Sequence, residues 1–361
     1  MRSRIASLLL LCVLVAPLVC AAQRGGDLNV PLPLFPADNW WNVDITNAPI
    51  DPNSGTFISF IGANSGMHPD FGSYEDPGSP PSIGIYGMPY AVVHGDTQEK
   101  LAVLLHYSDE SDGVDHDTDT SYPFYPIPDE AKTEPYWIEG GYPGNQNVGG
   151  DRHLLIVDQD NNFLYELGGM FWDGTQWHAG AGAFFDMNTN NRRPEGWTSA
   201  DAAGLAILPG LVRYDEVYGP DPIRHAFRFT VHDTNGHVYP ASHTADSHSG
   251  APPMGMRMRL QQSVDLGSIT PDVHLQKIFQ AMKTYGIIVA DNGSDLYVQG
   301  TFDTRWDGEA LVAAFDNVKG RDFDVVQLGW TPPATISVQG SQAAEGNTGT
   351  GAMTFEVTRS N

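Results

Sequence analysis

The chain has almost no cysteine. Its two, Cys12 and Cys20, both fall within the first 22 residues. Once that segment is removed no thiol remains, which excludes disulfides, thiolate metal sites and a cysteine nucleophile. Basic residues are scarce too: 19 Lys and Arg stand against 44 Asp and Glu, for a net charge of -25. Phosphate backbones and anionic membranes need clustered Lys and Arg, so no nucleic acid partner is expected. Acidity of this degree also keeps a protein dispersed, so it excludes partners without naming one. Beyond residue 19 no apolar run approaches the about 20 residues of a membrane span, and none is expected. The Gly-x-Ser-x-Gly elbow, the Walker loop, the Rossmann fingerprint, His-Glu-x-x-His and the EF-hand are all absent. That disfavours serine esterases, NTPases, dinucleotide enzymes and the common zinc proteases.

What is present begins at the N-terminus. Arg2 and Arg4 precede an apolar run over residues 6–19, and Cys20-Ala21-Ala22 supplies small residues ahead of Gln23. These are the three parts of a secretory signal, so residues 1–22 are expected to be removed and the protein to be secreted or cell-surface associated. Acylation of Cys20 is the alternative, disfavoured by the bulk of Val19. Loss of Arg2 and Arg4 leaves 17 basic residues against 44 acidic, a net charge of about −27.

Residues 23–36 are polar with Gly and Pro and read as a lead-in. From residue 37 to 330, short β-like runs alternate with Gly, Pro, Asn and Asp clusters. They include Tyr90–Val93, Leu101–His106, His153–Val157, Phe163–Leu167, Gly182–Phe185, His225–Val231 and Leu296–Gln299, with a hairpin loop at Gln159–Asn162 and a tight turn at Asp291–Gly293. The expected fold is mainly β: an antiparallel β-sandwich or barrel with a few attached helices. One helix is expected from a Thr270 cap to Gly286, on the stripe Val273, Ile278, Phe279 and Met282. Others are expected at Ser199–Leu205 and Gly308–Phe315.

Residues 331–333 (Thr-Pro-Pro) read as a linker. Beyond it, Ala344-Glu345-Gly346-Asn347-Thr348-Gly349 followed by Phe355-Glu356-Val357 resembles the opening of a Calx-beta repeat. The resemblance covers residues 334–361 and implies a repeat cut short. Calx-beta repeats can bind calcium, but most of the usual ligand positions would lie beyond Asn361. Residues 24–330 as a whole resemble a group of secreted bacterial proteins, which implies export and no particular chemistry.

The densest chemistry lies between residues 151 and 232. Glu166 sits in one strand; Gly180-Ala181-Gly182-Ala183-Phe184-Phe185-Asp186 forms another, of small residues that admit close approach. After Asn188, Asn190 and Asn191 come Asp201 and Gly204-Leu205-Ala206-Ile207. This stretch resembles the catalytic segment of laminaripentaose-producing β-1,3-glucanases, which share a thaumatin-like β-barrel. Asp186 and Asp201 match that family's two acids. The chain departs from it in Asp for Glu at 186, Ala203 for an aromatic residue and Ala206 for proline. The resemblance implies a β-glucanase-like glycoside hydrolase acting on an extracellular polysaccharide. Its two carboxyls, one protonated and one ionised, would be Asp186 and Asp201, with Glu166 as the substitute. The structural alternative makes Asp201 an early helix residue behind a capping Ser199 and Asp186 a strand-end turn former.

Aromatics interleave with these acids, and sugar rings stack on exposed aromatic faces. Trp172, Trp177, Trp197 and Tyr214, together with His153 and His225, are the expected substrate-binding set, with Trp172 and Trp177 exposed around the turn Asp173-Gly174-Thr175. Half or more of the aromatics would simply fill the core. His153 and His225, with Tyr214 and Arg224, suggest a polysaccharide lyase instead, although His225 shares a face with Phe227, Phe229 and Val231 and suits the core. A non-catalytic glycan-binding or surface/matrix protein is the third class. His232, His237, His243 and His248 form a weak candidate metal set, and no metal is assigned. Asp115, Asp117 and Asp119 could ligate a structural calcium, a solvated acidic loop being the stronger reading. No other cofactor is expected. Asp291 reads as a turn residue that can reach a cleft edge.

Overall fold

The computed structural model describes residues 21–73, 85–333, 336–339 and 356–359. The expected signal segment, but for its last two residues, and the Calx-beta-like turn at 344–349 lie outside them. Two short strands of that C-terminal segment, Ile336–Gln339 and Glu356–Arg359, pair antiparallel.

Two mixed sheets carry the fold. The first has five strands in the order Gln23–Arg24, Tyr90–Val93, Leu154–Asp158, Phe163–Gly168, Ala181–Asp186. Its second and third strands run parallel and the remaining pairs antiparallel. The second has six, in the order Phe323–Val325, Arg257–Leu260, Ile287–Asn292, Phe227–Val231, Tyr297–Gln299, His68–Asp70. Two of its pairings are parallel. A small third sheet joins Phe171–Trp172, Trp177–Ala179 and Val103–Leu105.

The protein is therefore mainly β with few helices, but the expectation of an antiparallel sandwich or barrel is corrected. The sheets are open and mixed. Parallel neighbours need long crossovers, and the chain supplies one of about sixty residues between Val93 and Leu154. The run Leu-Leu-Ile-Val at 154–157 has no polar alternation because both its faces are covered. Leu155 and Val157 pack with Leu164, Ala183 and Phe185 on one side. Leu154 and Ile156 pack with Tyr125, Trp137 and Trp177 on the other.

The second sheet lays Phe227, Phe229, Val231, Ile287 and Val289 in the largest core cluster. The helices Gln276–Thr284 and Gly308–Asp316 cover it through Ile278, Phe279, Met282, Leu311 and Phe315. The expected helix thus begins six residues after Thr270, and Val273 is exposed rather than part of its stripe. Gly286 stops it as expected: its φ of 78° is left-handed, and a Cβ would lie 2.3 Å from the Met258 carbonyl. Residues 23–36 are not a loose lead-in. Leu28, Leu34 and Phe35 are buried against Met88 and Tyr90, and Gln23–Arg24 is the edge strand of the first sheet.

Residues Ser199–Leu205, expected as a helix, form a turn-rich loop. Ser199 Oγ donates to the Leu205 carbonyl at 2.6 Å and accepts from the Asp201 N–H at 2.9 Å, folding the loop on itself. Gly204, at φ 71°, sits where a Cβ would collide with Ser242 and the Trp197 carbonyl. This loop carries Asp201 to the junction of the two sheets.

Candidate functional site

The expected pair Asp186 and Asp201 is not brought together. Ala181 lines the depression that holds Asp201, and Asp186 lies five residues further along the same strand, on the order of 16 Å away at about 3.3 Å per residue. Asp186 closes a local turn, accepting from the Asn188 backbone at 2.9 Å and side chain at 2.8 Å. The strand-end turn reading is the one that holds for it.

Asp201 is buried and meets Arg228, which is equally buried on the strand Phe227–Val231. The guanidinium forks onto the carboxylate, Nη2 to Oδ1 at 2.6 Å and Nε to Oδ2 at 3.1 Å. Arg228 points away from the Phe227 and Phe229 face because a strand alternates sides. The same Nη2 lies 3.9 Å from Asp291 Oδ2. The 2.6 and 3.9 Å contacts laid end to end put the nearest oxygens of Asp201 and Asp291 within about 6.5 Å of each other. Two-carboxyl glycoside hydrolases use separations from about 5 to 9.5 Å.

His153 stands at the start of the strand Leu154–Asp158. Its Nδ1 is 2.5 Å from Glu139 Oε2 and its Nε2 is 3.0 Å from the Ala200 carbonyl. Both partners accept, so both nitrogens carry protons and the ring is an imidazolium. Burial opposes that charge, but Glu139 outweighs it and lifts the pKa to about 9. Burial likewise opposes ionisation of Glu139, and the His153 charge and hydrogen bonds hold its carboxyl below the ordinary value.

Glu166, the expected substitute acid, is fully buried. Its carboxyl accepts from the Ile207 and Leu208 N–H groups at 2.8–2.9 Å, tying the first sheet to the segment after the Asp201 loop. Burial raises its pKa to about 7 in spite of those two donors. With no access to solvent, it cannot touch a substrate.

Asp291 is different. A third of its side chain remains exposed. Burial, then the neighbouring Asp201 carboxylate, raise its pKa to about 7 against the pull of Arg228, the Asn292 N–H and His153. Burial raises Asp201 as well, and the fork from Arg228 opposes that rise. A depression of about 310 Å³ opens over these groups, with Asp151, His153, Asp201, Asp291 and Tyr107 around a floor of Gly168 and Gly180. Asp151 and Tyr107 are solvent-exposed on its rim.

The other expected residues disperse. Trp177 is buried against Trp172, their rings 5.5 Å apart, so neither stands out from the Asp173 turn, contrary to expectation. Trp172 is half-buried under the Lys132 ammonium. Trp197 is half-buried, with the Arg193 guanidinium over its ring and His116 beside it. Tyr214 lines a separate cavity. His225 is a satisfied core residue, bound to Glu216 at 3.0 Å. It does not meet His153 or Tyr214, so the lyase constellation is not assembled, and Arg224 borders a further hollow with Pro220 and Pro222.

The histidine set also separates. His237 pairs with Glu195, and His243 with the Ala202 carbonyl and Glu110. His232 and His248 remain near one another on Asp233, flanking Phe60. Asp115 accepts from the Asp117 N–H in an exposed hairpin tip. Among the described residues no group of three or more His, Cys, Asp or Glu has metal-holding geometry, and no helix is long and apolar enough to cross a membrane.

Arg228 and Glu139 are the site residues that the sequence does not announce. An arginine in the otherwise apolar run Phe-Arg-Phe-Thr-Val is a usable signal, since a charge in a buried strand requires a partner. Glu139 has no comparable signature. Comparison of the chain with protein-family models, curated proteins and solved structures finds no match, so the functional reading rests on this cluster of Asp291, Asp201, Arg228, His153 and Glu139.

Proposed function

We propose that the protein is a secreted glycoside hydrolase acting on an extracellular polysaccharide, with Asp291 as its proton donor. One observation carries the reading: a carboxyl open to a surface depression, raised to about 7 by burial and by an adjacent carboxylate that Arg228 fixes in place. A group with that pKa is protonated on the acid side of neutrality and can donate to a leaving glycosidic oxygen. Asp201 takes a different part from the one its sequence context suggests. With both oxygens in the fork and no exposure, it is a positioning residue that sustains the proton on Asp291. Asp151, exposed on the rim of the same depression, supplies the second carboxyl for activating water. Tyr107, half-exposed beside it, offers a ring face to the sugar.

A lyase needs a cation free to neutralise a uronate. The cations of this depression, His153 and Arg228, are each already matched by a carboxylate. The test is a panel of neutral and acidic polysaccharides assayed with the wild type and Asp291→Asn. Release of reducing ends without absorbance near 235 nm, lost at least about 100-fold in the variant, is the expected result. Full activity in Asp291→Asn, or products absorbing near 235 nm (roughly where unsaturated uronates absorb), would overturn it.

A further inference from the structure

A second cavity lies apart from the Asp291 depression and shares no residue with it. It encloses about 530 Å³ between the N-terminal segment 23–27 and the loop 301–305, within the range of about 300–1,000 Å³ in which small molecules bind. We propose that it is a binding site for an uncharged pyranose ring of a glycan, separate from the site of chemistry.

Three observations support this. The first is an aromatic wall held in place at a cost. Tyr136 has φ 63°, a left-handed conformation that a bulky residue rarely adopts. Such strain persists where the surroundings enforce it, and it clusters at ligand clamps. Here it lays Tyr136 flat on Phe302, ring centres 4.8 Å apart and planes within 14°. The Arg24 guanidinium stands 5.8 Å from both rings.

The second is a set of planar polar groups that line the same cavity. Arg305 lies 4.1 Å over the Tyr214 ring, and Asp303 holds it there with bonds of 2.9 and 2.5 Å. Asp215 lines the cavity with about a third of its side chain exposed, loosely held at 3.5 Å from the buried Arg213. Guanidinium and carboxylate groups in one wall give donors and acceptors for the vicinal hydroxyls of a sugar, while ring faces take its C–H groups.

The third is charge. The lining carboxyls of Asp27, Asp215 and Asp303 outnumber the guanidinium groups of Arg24 and Arg305, and Arg305 is already matched by Asp303. An anionic ligand meets net repulsion, so uronate and sulfated chains are disfavoured. The N-terminal side of the cavity is anchored: Gln23–Arg24 pairs with Tyr90–Val93, Gly25 N–H bonds the Tyr90 carbonyl at 2.7 Å, and the Tyr90 hydroxyl donates to the Gly26 carbonyl. The N-terminal segment is thereby a fixed wall.

The experiment uses the full chain carrying Asp291→Asn and titrates it by calorimetry with neutral β-1,3- and β-1,4-linked glucan hexasaccharides, an oligogalacturonate and a chitosan hexamer. Binding of a neutral hexasaccharide is expected, weakened at least tenfold by Phe302→Ala and by Arg305→Ala. Arg305 is more than half exposed, so its variant retains the fold. No binding by either neutral ligand, preference for a charged one, or unchanged affinity in both variants would overturn the proposal. The readout is binding alone, so loss of the hydrolase reading through an inactive wild type leaves it standing, and failure here leaves the hydrolase reading intact.

Discussion

Replacing Arg228 with Met removes the cation that forks onto a fully buried carboxylate. Asp201 is 1% exposed and Arg228 1% exposed, with the fork at 2.6 and 3.1 Å. Deleting one partner of such a pair costs about 3–5 kcal/mol, because the remaining charge is stranded in a low-dielectric interior. For a chain of this size, at about 2.1 cal/mol/K of unfolding entropy per residue, that is a fall in Tm of about 4–7 °C. The loss depends on pH in a definite sense. In Arg228→Met, the folded pKa of Asp201 stands far above its unfolded value of about 3.9. Well below pH 4, Asp201 is protonated in both states, and near pH 4, where the unfolded group is about half ionised, the penalty is still small. As pH rises, the unfolded chain ionises and the folded one cannot, so the penalty grows. Thermal melts of wild type and variant from pH 4 to 8 read this directly. The double variant Arg228→Met, Asp201→Leu should recover most of the loss. A penalty below about 1 kcal/mol at pH 8, or one that grows toward acid, would refute the reasoning.

Three further outcomes are expected. Glu166 and Asp291 both have folded pKa values raised to about 7, so they contribute stability near pH 4 that is lost as pH rises toward 7; Glu166→Gln should flatten the stability profile across that window in chemical denaturation. His153 is raised from 6.5 to about 9, so its stabilisation is complete below pH 6.5 and lost as pH rises through 9. Glu139→Gln should remove that alkaline loss, and proton NMR titration of the His153 ring should show its pKa fall. Gly286→Ala should destabilise by about 2 kcal/mol or more in urea unfolding, from the left-handed backbone and the collision with Met258.

Much of the strand content was legible because apolar runs bounded by turn residues survive as strands: Tyr90–Val93 and Phe163–Gly168 stand almost where the pattern puts them. Pairing was not legible. Nothing in the residues 90–93 says that their neighbour is 154–158 and parallel, since that depends on how a sixty-residue crossover folds. The Asp201 loop misleads for a local reason: Ser-Ala-Asp-Ala-Ala has helical propensity, but Ser199 and Arg228 draw the segment into a turn that propensity does not register. Trp177 misleads in the opposite way, a tryptophan beside an exposed turn whose ring nonetheless folds back into the core. The sequence context singled out Asp201, but it set Asp186 beside it, which the fold does not, and it gave Asp291 only as a turn residue that can reach a cleft edge. The partner was set by two strands of a different sheet, a relation that sequence spacing cannot carry.

The most direct test of the account is the dependence of kcat/KM on pH, measured on whichever polysaccharide the wild type cleaves. The account predicts an alkaline limb with an apparent pKa near 7, as the Asp291 proton is lost, and loss of that limb with the activity in Asp291→Asn. A profile flat from pH 5 to 9, or an unchanged profile in Asp291→Asn, would contradict it.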